Sequence, residues 1–145
     1  MTVVNLYTYT NIKSIKPRDG TIWYILETET VKGPASIGNA VQVEQLTANA
    51  AELKALLMAM RRLKSGCEVH IYTESQYVVS GIESWMQDWK KNNWKNSKGE
   101  PVAHWEMWKE LEQLISEQKI ELHQKEHHSY YNWFTHEAKR RNDNV

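Results

Sequence analysis

Two hydrophobic periods divide the chain. From Thr2 to Leu46 apolar and polar residues alternate, in "TVVNLYTYT", "GTIWYILETET" and "SIGNAVQVEQL". A period of two puts every second side chain on one face of a strand. "KPRDG" and "KGPAS" are turn sequences between these runs, so three strands are predicted to follow one another as an antiparallel meander. After Leu46 the spacing becomes helical. Thr47 is a predicted N-cap for a helix carrying Leu53, Leu56, Leu57, Met60 and Leu63 on one stripe, and "KSG" ends it. "CEVHIYT" is a fourth predicted strand, leading to Ser75 as the cap of a helix over "QYVVSGIESW". A polar, lysine-rich segment runs from there to Pro101. "HWEMWKELEQLI" is amphipathic, with Trp105, Trp108, Leu111, Leu114 and Ile115 expected inward. "KIELHQ" is a fifth strand and "NWFTHEAKRR" a last helix with a basic end. The order βββαβααβα predicts an α/β layered fold: a five-stranded mixed sheet, its first three strands antiparallel, flanked by helices.

Length and charge narrow this picture. A chain of 145 residues supports one core, so residues 1–145 are expected to form a single domain. Basic and acidic residues balance at 18 each, and any affinity for nucleic acid must come from local clustering. One such cluster exists. Between Trp85 and Lys98 stand Lys90, Lys91, Lys95 and Lys98 against Asp88 alone, a local charge of +3, interleaved with Trp85, Trp89 and Trp94. Ammonium groups engage phosphates and indole faces stack on sugars or bases. The competing reading is an amphipathic helix with core tryptophans and solvated lysines. The single Cys67 allows no internal disulfide, and the N-terminus lacks a basic-then-apolar leader pattern. A cytoplasmic monomer is the default expectation.

Two carboxylates and a group of histidines are candidates for chemistry. Glu52 lies in the first turn of its helix, on the stripe that packs inward, where a carboxylate is costly without partners. Glu74 follows the fourth strand at its C-terminal end, where α/β sheets build ligand crevices. Either also reads as a first-turn or turn residue. His123, His127 and His128 match no zinc spacing and read most simply as loop histidines, and His136 would be unremarkable in its helix.

Together these segments resemble the type 1 ribonuclease H family. "TANAAELKAL" is similar to that family's T-x-N-x-x-E-L helix start, and "YTESQYVVSGI" to its T-D-S-Q-Y-V-x-x-G-I. "WMQDWKKNNWKNSKGEPVAHWEMW" resembles its basic protrusion, at about residues 85–100 here, and "NWFTHEAKR" its final helix. The resemblance implies a ribonuclease H-like fold and a domain acting on RNA–DNA hybrids. It implies Mg²⁺ or Mn²⁺ as cofactor, two ions held by four carboxylates. It also implies substrate contacts from Thr47, Asn49, Gln76, Trp85, Lys90, Lys91, Trp94 and Lys95, and an active-site histidine at His127 or His128.

The four carboxylate positions match Tyr9, Glu52, Glu74 and His136, so only Glu52 and Glu74 remain as anionic metal ligands. Tyrosine is neutral near pH 7 and imidazole is a poor ligand for Mg²⁺. Three readings follow. One is a domain that binds an RNA–DNA hybrid or related duplex with cleavage weak or lost, in which no cofactor need be bound. Another is an active nuclease with an altered metal site, aided by Asp19 or Glu137. The third is a protein-interaction module using exposed tryptophans.

Overall fold

The structure, a computed structural model, describes residues 1–143; residues 144 and 145 of the expected domain lie outside the described residues. Strands β1 (Val3–Thr10), β2 (Arg18–Thr30) and β3 (Gly33–Leu46) form the predicted antiparallel meander. β4 (Glu68–Thr73) lies parallel to β1 and β5 (Lys119–Gln124) parallel to β4, giving the sheet order β3-β2-β1-β4-β5. Parallel neighbours need crossovers, and the helical segments supply them: α1 (Ala48–Met60) before β4, and everything from Gln76 to Ser116 before β5. β2 begins earlier than its alternation suggests, at Arg18, through an irregular step between Arg18 and Gly20. Asp19 fixes that step by accepting hydrogen bonds from the Gln45 backbone nitrogen at 3.0 Å and Nε2 at 2.9 Å.

On one face of the sheet, Leu53, Leu56, Leu57 and Met60 of α1 pack against Leu6, Val69 and Ile71. Trp108 and Leu111 of α4 (Trp105–Ser116) complete this core. Trp105, expected inward, is instead exposed, because the buried stripe of α4 runs through Trp108, Leu111 and Glu112 and its first residue overhangs the core. The helix predicted over residues 76–85 continues further than expected. α2 (Gln76–Ser80) passes through a π-helical turn (Gly81–Trp85) into α3 (Met86–Lys91). Ile82, Met86 and Trp89 extend the apolar stripe at helical spacing, which sustains the extension. Gly81 is required there: the Trp108 ring lies directly on it, where any Cβ would overlap the indole.

The second face is covered only in part. Phe134 and Ala138 of α5 (Tyr131–Asp143) seat on Tyr7, Trp23 and Ile25. Beyond that cluster, the Glu68, His70 and Tyr72 side of β4 stays partly exposed.

Candidate active site and nucleic-acid interface

β1 and β4 run parallel and end side by side, which brings Tyr9 and Glu74 to one rim of the sheet. The first turns of α1 bring Glu52 to the same rim. Thr47 caps that helix as expected, its hydroxyl accepting from the Ala50 nitrogen at 3.2 Å. Two adjoining cavities share Glu74 and Lys125. One, of about 180 Å³, is lined by Tyr9, Tyr72, His127, His128 and Tyr131 among others. The other opens between Lys13, Asn49, Glu52 and Gln76.

Glu52 is buried, and one of its oxygens, Oε2, has no hydrogen-bond partner. Desolvation pushes its carboxyl up to about 7; Lys13 opposes the shift and the Glu74 charge adds to it. Tyr9 is held above the ordinary phenol value, chiefly by burial and then by Glu74, Tyr131 and Glu52, so it is neutral at any physiological pH. Its ring stacks on Phe134 at 5.6 Å, and the Lys13 ammonium sits 4.2 Å from the ring centroid. The rim thus holds two carboxylates, a neutral phenol and a lysine cation.

Tyr9, Glu52, Glu74, His127 and His128 come together at the two cavities. His136 does not: it is exposed on α5 and lines neither cavity, whereas Tyr131 from the start of that helix does. Asp19 is occupied with Gln45 at the β2–β3 end, and Glu137 pairs with Arg140 at 2.8 Å. The two neighbouring histidines have different surroundings. His127 is exposed, while His128 lies among Tyr7, Tyr72 and Phe134. Burial, with the neighbouring His127, lowers the His128 pKa, and its Nδ1 accepts from the Tyr130 backbone nitrogen at 3.1 Å. Lys13, Tyr131 and Lys125 were not anticipated from sequence. Lys13 follows Tyr9 by four residues in an irregular loop, and no motif marks it.

The basic segment is folded onto the core rather than hanging free. Trp94 is buried, in a left-handed conformation at φ 63°, and its backbone nitrogen bonds to the Trp89 carbonyl at 2.6 Å. Trp89 packs edge-on against Trp108, and Trp85 remains 41% exposed. Lys90, Lys91 and Lys95 are all exposed, but Lys90 pairs with the buried Glu112 at 2.6 Å. Asn49 is exposed beside Glu52, and Gln76 bonds Ser80 and Gln124, each at 2.7 Å.

Residues 2–138 match the family model described as RNase H. The chain belongs to the ribonuclease H family. Its relatives include a ribonuclease H of Rhizobium etli, 46% identical over 79 residues that cover 54% of this chain and 52% of that protein. Another, from Legionella pneumophila, is 44% identical over 85 residues, 59% of each. The chain therefore aligns with only about half to three-fifths of these curated relatives. Across the family's solved structures the fold carries over at lower identity. LC9-RNase H1, a type 1 RNase H with the type 2 active-site motif, superposes with a TM-score of 0.75 at 19% identity, covering 97% of this chain and 70% of that one. LC11-RNase H1, solved in complex with an RNA/DNA hybrid, gives 0.62 at 16% identity, covering 96% and 98%. No helix among the described residues is long and apolar enough to cross a membrane.

Proposed function

We propose that residues 1–145 act as one ribonuclease H-like domain that binds RNA–DNA hybrid or a related duplex, with metal-dependent cleavage of the RNA strand weak or lost. The observation that carries this reading is the Lys13 cation at the Glu52–Tyr9 rim. Two hard divalent ions about 4 Å apart need several anionic oxygen donors converging on them. Here two of the four matching positions are carboxylates, and at the same rim the Lys13 ammonium lies 4.2 Å from the centroid of the Tyr9 ring, where the family has its first carboxylate. His136 brings no carboxylate and lines neither cavity. This donor set does not fit a pair of Mg²⁺ ions.

Binding is supported from another part of the molecule. Lys91 and Lys95 of the basic segment are exposed, Trp85 is half-exposed, and Asn49 is exposed where it lines the Glu52 cavity. The same fold is seen in LC11-RNase H1 with an RNA/DNA hybrid. Labelled hybrid titrated at increasing salt should bind with an affinity that falls linearly on a double-logarithmic plot. Absent or salt-independent binding would remove the proposal. A second reading, an active nuclease with an altered site, is favoured by the unpartnered Glu52 Oε2, which has a lone pair to offer a single cation.

A further inference from the structure

A second group of ligand-type side chains lies on the partly exposed face of β4 and β5, apart from the Glu52–Glu74 rim. We propose that His70, Glu121 and His123 bind one late first-row transition-metal ion, of which Zn²⁺ is the representative. The parallel register places His70 directly beside Glu121, and His123, two residues on, projects from the same face. Their donor atoms all lie within 4.8 Å of one another. His70 Nδ1 is 2.9 Å from His123 Nε2 and 3.2 Å from Glu121 Oε2. A tetrahedral ion with bonds of about 2 Å holds its donors about 3.3 Å apart, so the three are already near their places.

The outer contacts decide how these atoms are used. His70 Nε2 is 2.8 Å from Glu68 Oε2, and His123 Nδ1 is 3.0 Å from the Glu126 carboxylate. Each imidazole thus has a carboxylate behind it, the arrangement that orients metal-binding histidines. With both rings neutral and no ion present, every choice of tautomers leaves a conflict. A proton on His70 Nδ1 turns the bare Nε2 toward Glu68. Protons on His70 Nε2 and His123 Nε2 turn a bare His123 Nδ1 toward Glu126. Protons on His70 Nε2 and His123 Nδ1 satisfy both outer carboxylates, but then two nitrogen lone pairs and Glu121 face one another. A cation between them turns that last arrangement from repulsive to coordinating.

Two nitrogens and one carboxylate oxygen suit zinc and its neighbours rather than Mg²⁺. The site is held firmly: Tyr72 stacks on His123 at 4.4 Å between centroids, with planes 9° apart. Glu121 is exposed, which leaves the ion's remaining position open to water. Such an ion fastens β4 to β5 and, through Glu126, the start of the loop bearing His127 and His128. The proposal is independent of hybrid binding.

The test is calorimetric titration of the metal-free full chain with ZnCl₂. We expect one ion per chain, with binding weakened at least tenfold in His70→Gln and in Glu121→Gln. Glu68→Gln should lose about 10- to 100-fold through misorientation of His70. A Glu52→Gln/Glu74→Gln variant should bind zinc as the parent does, which separates this site from the rim. Glu121 is exposed, so its variant keeps the test valid should His70→Gln fail to fold by circular dichroism. Absence of one-site binding by the parent means that a shared proton, not a metal, satisfies the cluster, and overturns the proposal. So does binding that Glu121→Gln leaves unchanged.

Discussion

The Glu52 carboxyl loses its water on folding and regains only part of that loss from neighbours, which is why burial dominates its shift to about 7. The energetic consequence depends on pH. Below about 4.5 the group is protonated whether the chain is folded or unfolded, and burial of its charge costs nothing. As pH rises through 7 the unfolded chain is already ionised, and the folded one must ionise a buried group. Stability is lost across that window, by an amount on the order of 3 kcal/mol or less. Glu52→Gln should therefore raise the melting temperature at pH 8 and leave it nearly unchanged at pH 4. An equal gain at both pH values would mean that packing, not charge, is responsible. Lys13 acts in the opposite direction on the same carboxyl, so Lys13→Ala should move the Glu52 titration upward when followed by carbon-detected NMR. An unchanged titration would show that the ammonium does not act on it. Glu52 was legible in sequence because a carboxylate on an apolar stripe violates the pattern around it. Lys13 was not, since a lysine in a loop violates nothing, and only the paired ends of β1 and β4 bring that loop to the rim.

At the level of elements, the periodicities located all five strands and the apolar stripe of α1, although α1 is buried on nearly every side and the middle of β2 on both faces. Two features depended on tertiary contacts instead. The first is the passage from α2 through the π-helical turn to α3, which follows from Trp108 resting on Gly81. Gly81→Ala should destabilise the fold by about 1–3 kcal/mol or more in urea denaturation, since the indole has no room to retreat. A neutral result would mean that the Trp108 ring is not held there. The second is the basic segment, whose lysines looked equivalent in sequence. Lys90 neutralises Glu112, which is buried on α4, while Lys91 and Lys95 carry exposed charge. Lys90→Ala should thus cost about 1–3 kcal/mol of stability by leaving a buried carboxylate without its partner. Lys91→Ala should leave stability within about 0.5 kcal/mol and reduce the salt slope of hybrid binding by about one. Interchanged results would reverse these assignments.

For the whole molecule, the segments with family motifs also help build the core: α1 packs on the sheet, Gly81 takes the Trp108 ring, and Trp89 of the basic segment rests on Trp108 of α4. A scaffold of this kind keeps its shape when residues at one rim change, because Tyr9 and His136 are not what the main core packs around. The order of strands and helices could accordingly be read from sequence. The distribution of the rim side chains could not, because His136 and Tyr131 occupy one helix and only its docking angle decides which reaches the cavity. The proposed binding surface and the altered rim together predict that binding is separated from cleavage. Incubating labelled RNA–DNA hybrid with the chain in Mg²⁺, and separately in Mn²⁺, tests this most directly, at protein concentrations where a parallel binding assay shows the hybrid saturated. The account predicts bound hybrid whose RNA strand stays intact or is cut only slowly. Rapid metal-dependent cleavage that Glu52→Gln abolishes would contradict it.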